Sequence, residues 1–124
     1  MDKKINLLYV DDEPLNLTLF RSIFKKIFNV KTAESGEEGL RLLEDDDEIE
    51  VVISDMKMSG MNGVEFIGKA KQKYPTINYY ILTGFDITDE IADALHTNLI
   101  SGYFRKPINK REIEKAVLKS IQSE

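Results

Sequence analysis

The sequence predicts an α/β domain, a doubly wound five-stranded parallel sheet with five helices. Three observations lead there. Apolar runs of strand length alternate with stretches of helical periodicity, five times along the chain, which is the pattern of a parallel sheet with crossover helices. The connections are short, so the crossovers are expected to be right-handed with helices on both faces. The run Val51-Val52-Ile53 is unbroken, apolar and β-branched before it meets Ser54 and Asp55, as in a strand buried on both sides. At 124 residues the chain reads as one domain over 1–124, with no linker, repeat or low-complexity segment.

Each element has its own warrant. Asn6 to Val10 is a short apolar strand ending at Asp11-Asp12-Glu13. Pro14 suits a first helical turn, where its missing N–H costs nothing. Phe20, Ile23, Phe24, Ile27 and Phe28 recur at helical spacing and predict one core face. Asn29 to Ala33 is the second strand. Ser35 and Glu38 have capping-box spacing, and the second helix runs through Leu40, Leu42 and Leu43. Asp45 to Glu48 is an acidic, solvated loop. After the central strand, Met56 to Gly63 is a loop with two glycines. A third helix carries Val64, Phe66, Ile67 and Ala70 and is ended by Pro75. Asn78 to Leu82 is a fourth strand, in which Tyr79 and Tyr80 point to opposite sides. Thr88 caps a fourth helix bearing Ile91, Ala92 and Leu95, and Asn98 closes it in the left-handed conformation. Gly102 to Phe104 is the fifth strand. Asn109 and Glu112 have capping-box spacing again, before the stripe Ile113, Ala116, Val117 and Ile121.

Composition narrows the function. Hydrophobic residues make up 42% and charged residues 31%, a balance typical of globular domains. No apolar run approaches the roughly 20 residues that span a bilayer, and the run after Met1-Asp2-Lys3-Lys4 is too short for a signal-peptide core. Cysteine is absent, which removes disulfides, thiolate metal sites and cysteine catalysis and fits the cytoplasm as the expected location. The net charge is −5 with no basic block, so direct nucleic-acid binding lacks its electrostatic footprint.

A parallel sheet gathers the carboxyl ends of its strands on one edge, where open α/β sheets bind their ligands. That edge collects Asp11 and Asp12 from strand one, Asp55 from strand three, Thr83 from strand four and Lys106 after strand five. Three carboxylates held together repel one another unless a cation sits between them. Hard oxygen ligands favour Mg2+ or Mn2+. A carboxylate can act as a nucleophile toward a phosphoryl group, and the transferred group needs mainly positioning and compensation of its charge. Lys106, the metal and the Thr83 hydroxyl would supply these. His96, late in the fourth helix, reads as a surface residue.

The segments Tyr9-Val10-Asp11-Asp12-Glu13-Pro14, Ile53-Ser54-Asp55-Met56-Lys57-Met58, Ile81-Leu82-Thr83-Gly84 and Tyr103-Phe104-Arg105-Lys106-Pro107 resemble the landmarks of receiver domains of two-component response regulators. The resemblance covers essentially the whole chain, in order and at the right spacing. It implies a flavodoxin-like fold with strand order 2-1-3-4-5, similar to single-domain chemotaxis-type regulators. It implies that Asp55 accepts phosphate from a phosphohistidine on a sensor histidine kinase or histidine phosphotransfer protein. Asp12, Asp55 and the backbone carbonyl of Lys57 would bind the metal, with Asp11 acting mostly through water. Thr83 and Tyr103 match a coupled switch pair that alters the helix 4/strand 5/helix 5 surface for an effector protein. The expected entity is a signalling module, a monomer or phosphorylation-dependent dimer, that catalyses only its own phosphorylation and slow dephosphorylation.

The sequence also departs from the family's pattern. The proline usual four residues after the acceptor is replaced by Ser59, with Gly60 and Gly63 keeping a tight loop possible. Leu99-Ile100 stands where a small Gly-Ala pair is common. Lys57 and Phe85 are expected at the mouth of the site, where they would obstruct water and slow loss of phosphate. The rival reading is an aspartyl-phosphate hydrolase of the haloacid dehalogenase type. It would need a second acid two residues after the nucleophile, where Lys57 stands. A flavodoxin-like cofactor binder would need a Ser/Thr/Gly-rich phosphate loop in place of Asp11-Asp12-Glu13.

Overall fold

Strands and helices alternate through the whole of the computed structural model, which describes residues 4–122 except Phe85. The order is β1 (Ile5–Val10), α1 (Pro14–Phe24), β2 (Phe28–Ala33), α2 (Gly36–Asp45), β3 (Val51–Asp55), α3 (Gly63–Lys73), β4 (Asn78–Thr83), α4 (Asp89–His96), β5 (Gly102–Arg105) and α5 (Lys110–Gln122). The strands pair in parallel in the order β2-β1-β3-β4-β5. This is the flavodoxin-like order expected from the resemblance. β3 lies at the centre and every one of its residues is buried, as its unbroken apolar run requires.

Alternation along the strands divides the core in two. On one side Leu7, Tyr9, Ile53 and Leu82 meet Phe20 and Phe24 of α1 and Ile113 and Val117 of α5. That side is rich in aromatic rings, with Tyr9 stacked on Phe20 at a 4.1 Å centroid separation and Tyr80 stacked on Phe104 at 5.3 Å. On the other side Leu8, Val10, Val52 and Ile81 meet Phe66 and Ile67 of α3 and Ile91 of α4. Tyr79 and Tyr80 belong to opposite sides, as strand alternation demands. Ile100 is 1% exposed within the second core, so the bulk that replaces a small residue before β5 is absorbed by packing beside Ile91 and Ala94.

Two local expectations change. Phe28 continues the helical spacing from Phe24, yet α1 ends at Phe24 and Phe28 opens β2. The two rings lie 5.6 Å apart, so the spacing reflects contact across a chain reversal and not another helical turn. The capping pattern also differs. Ser35 accepts the Glu38 N–H at 3.0 Å, but Glu38 takes the Glu34 N–H, so the reciprocal bond of a capping box is not made. At α5, the Asn109 side chain accepts the Glu112 N–H at 3.0 Å. The complete reciprocal box lies at α3, between Asn62 and Glu65. Thr88 caps α4 by accepting the Ile91 N–H at 3.2 Å, and Asn98 has φ 63°, both as expected.

Candidate functional site

The carboxyl edge of the sheet brings the expected residues together. Asp11 follows β1 on the same side of the sheet as Tyr9. Asp55 ends β3 on that same side, two residues after Ile53. Asp11 is wholly buried and Asp55 is 7% exposed, while Asp12 is half-buried at the rim. One carboxylate oxygen from each of the three lies within 4.8 Å of the others.

Lys106 supplies the positive charge. The tip of β5 is tied to β4 where the Lys106 N–H donates to the Thr83 carbonyl at 2.8 Å, and the Lys106–Pro107 peptide bond is cis. The Lys106 side chain passes Gly84, where an added Cβ would sit 3.6 Å from Lys106 Cδ. Its Nζ lies 3.0 Å from Asp55 Oδ1 and 3.7 Å from Asp11 Oδ2. Burial pushes the Asp55 carboxyl above the usual carboxylate range. The Lys106 bond pulls it back, and the charge of Asp11 pushes it up again. One ammonium shared among three acids leaves net negative charge in a poorly solvated place, a donor set that fits a hard divalent cation.

Each acid also has a donor from the chain. Asp11 Oδ2 accepts the Tyr9 O–H at 2.6 Å, and its Oδ1 accepts the Glu13 N–H at 3.0 Å. Asp12 Oδ2 accepts the backbone N–H of Ser59 at 2.8 Å, a bond that proline at this position could not donate. The tight loop after β3 is therefore tethered to Asp12. Ser54 is buried and its hydroxyl donates to the Asp55 carbonyl at 2.8 Å. Gly63 lies so close beneath that a Cβ there would stand 2.4 Å from the same carbonyl oxygen.

Thr83, 2% exposed, ends β4 on the opposite side of the sheet, in line with Tyr79 and Ile81. Tyr103 pairs with Ile81 across the strands and packs half-buried against the same core, so Thr83 and Tyr103 share one face. Lys57 is exposed and lines an open cleft of about 510 Å³ with Asp12, Asp55, Ser59 and Lys106. Phe85, the other residue expected at the mouth, lies outside the described residues. His96 is exposed, as expected.

Residues not singled out from the sequence complete the site: Tyr9, Asn62 and the hydroxyl of Ser54. Two had a legible signal. Tyr9 stands two residues before Asp11 and so on its face, and Asn62-x-x-Glu65 is a capping-box spacing.

The response regulator receiver domain family matches residues 7–118. The chain is 32% identical over 116 residues to the transcriptional regulatory protein GlrR of Escherichia coli, covering 93% of this chain and 26% of that protein. It thus spans about a quarter of the length of that curated relative. Among solved structures, a response regulator receiver domain protein from Clostridium thermocellum is 30% identical with a TM-score of 0.88, covering 96% of this chain and 95% of the other. A CheY-like receiver domain protein from Methanospirillum hungatei shares the fold at a TM-score of 0.88 and 23% identity, covering 98% of this chain and 96% of its own. In its sequence over nearly all its length, as in its strand order, this chain belongs to the family of response regulator receiver domains.

Proposed function

We propose that Asp55 accepts a phosphoryl group from a phosphohistidine on a sensor kinase or phosphotransfer protein. The observation that carries this reading is the Lys106 ammonium, 3.0 Å from Asp55 Oδ1 at the rim of a three-carboxylate cluster. Asp55 Oδ attacks phosphorus in line, the bond from phosphorus to the histidine nitrogen breaks, and that nitrogen leaves with its electron pair. Lys106 compensates charge on the transferred group, and the Thr83 hydroxyl lies at the strand end from which it can donate to a phosphoryl oxygen. Asp12, Asp55 and the Lys57 carbonyl would hold Mg2+ or Mn2+, with Asp11 acting mostly through water; the ion would supply further charge neutralisation.

Thr83 and Tyr103 form the switch. Their shared face supports a coupled movement in which the hydroxyl turns toward the phosphoryl group and the Tyr103 ring follows inward. The surface of α4, β5 and α5 then changes for an effector protein. The position two residues after Asp55, where an aspartyl-phosphate hydrolase would carry its general acid, holds Lys57, so the module stores the group and releases it slowly. Lys57 lines the cleft and obstructs the in-line water; Phe85 carries the same role as an expectation of the sequence alone. Lys57→Ala should release phosphate several-fold faster than wild type; an unchanged lifetime in both Lys57→Ala and Phe85→Ala would remove this role.

The reading is tested by incubating the protein with phosphoramidate and Mg2+ and measuring its intact mass. A single phosphoryl adduct that is lost in Asp55→Asn is expected. No adduct in the wild-type protein would overturn it.

A further inference from the structure

Tyr9 is buried in the aromatic core under α1, its ring stacked on Phe20 at an interplanar angle of 10°. That packing needs a ring, not a hydroxyl. The hydroxyl is nonetheless committed, as a donor to Asp11 Oδ2 at 2.6 Å. This is the same oxygen that lies 3.7 Å from Lys106 Nζ, while Lys106 sits 3.0 Å from Asp55 Oδ1.

Lys106 thus stands between two buried carboxylates and is closer to one of them. An ammonium in a poorly solvated place moves toward whichever anion is less well satisfied, because unmet charge there is costly. Asp11 has both oxygens served, Oδ1 by the Glu13 N–H and Oδ2 by the phenol. A short bond to an ionised acceptor is among the stronger hydrogen bonds.

We propose that Tyr9 is a positioning residue: by donating to Asp11 Oδ2 it holds Lys106 on Asp55, where the transferred group requires it. The inference rests on the reading of Asp55 as the phosphoryl acceptor. Without the hydroxyl, Asp11 Oδ2 is wholly buried with Lys106 as the nearest charged donor on hand. The ammonium is then drawn toward Asp11 and withdrawn in part from Asp55.

The test is Tyr9→Phe, which keeps the ring and its stacking. Thermal melting should show a folded protein. At saturating Mg2+, phosphorylation of Asp55 by phosphoramidate should slow by about tenfold, the scale of one charge-assisted hydrogen bond. In metal-free protein the Nζ nitrogen resonance of Lys106, assigned through its loss in Lys106→Arg, should shift. In an Asp11→Asn background, where no second carboxylate competes for the lysine, Tyr9→Phe should change neither quantity. A wild-type rate in Tyr9→Phe overturns the inference. So does a slower rate with an unmoved Lys106 resonance, or an effect that survives undiminished in the Asp11→Asn background, since both describe a mere loosening of the core. Failure of the wild-type protein to form any adduct would instead defeat the acceptor reading itself.

Discussion

Gly63 and Gly68 lie in the same helix, α3, and an added methyl group should act on them in opposite directions. At Gly63 a Cβ would stand 2.4 Å from the Asp55 carbonyl oxygen, 2.8 Å from Ile81 Cδ1 and 3.1 Å from Met56 Cα. Ile81 can turn its terminal methyl aside. The other two are backbone, and the Asp55 carbonyl is held by the Ser54 hydroxyl. Relief therefore requires moving the helix or the strand end. Overpacking a well-filled site costs about 1–3 kcal/mol, and a rigid backbone contact places Gly63→Ala near the top of that range. For a chain of this length that is about 10 °C in Tm. At Gly68 a Cβ meets nothing within 4 Å, so alanine brings only its helix propensity, a gain of about 1 kcal/mol or about 4 °C. Urea unfolding with parallel thermal melts would measure both. Because the displaced carbonyl belongs to the acceptor residue, Gly63→Ala should also slow phosphorylation by about tenfold or more. The reasoning fails if Gly63→Ala lies within about 0.5 kcal/mol of wild type while Gly68→Ala stabilises as expected.

Three further outcomes follow from the site and its supports. The raised pKa of Asp55 means that the folded chain holds a proton which the unfolded chain gives up, so this group's contribution to stability is lost as pH rises from the acid range through the folded pKa. Without divalent ions, Asp55→Asn should therefore melt higher than wild type at neutral pH and lose that advantage well below the ordinary carboxylate range; a lower neutral-pH Tm would contradict the assignment. Ser59→Pro removes the N–H that Asp12 Oδ2 accepts and frees the carboxylate for a cation. Mg2+ should bind about fivefold tighter, equivalent to one net hydrogen bond of about 1 kcal/mol; titration calorimetry showing equal or weaker binding would refute it. Thr88→Ala removes the cap on the Ile91 N–H and should cost about 1 kcal/mol, seen first as faster amide exchange in α4. Unchanged exchange there would show that the cap contributes nothing.

The fold was legible because its signals are periodic and local. Val51 to Ile53 reads as a strand buried on both faces, and Thr88 and Asn98 mark the ends of α4 by chemistry that needs no distant partner. Phe28 misled because contact between stacked rings across a turn has the same spacing as contact along a helix. The acids and Lys106 were legible through topology, since a parallel sheet delivers strand ends to one edge. Tyr9 was legible only as a residue on the face of Asp11, because within an apolar run a phenol reads as core. Only the three-dimensional structure shows its hydroxyl spent on Asp11 instead of on backbone or water. In the sequence Ser59 stands as a missing proline in a tight loop. The larger consequence is a donor gained, which depends on Asp12 lying opposite in space, 47 residues away in the chain.

Alternation along the strands places Asp11 and Asp55 on the face under α1 and α5, and Thr83 and Tyr103 on the face under α3 and α4. The sheet thus separates the acids from the proposed switch pair, while α5, part of the proposed effector surface, packs on the side of the acids. Substitutions on the two sides share few neighbours, and distant sites without shared partners combine additively. Under the proposed switch, the α4 side can therefore be remodelled for a new effector while the acids and their lysine stay as they are. The same separation lets the acid site be retuned through Tyr9 or Ser59 while Tyr103 and α4 stay as they are.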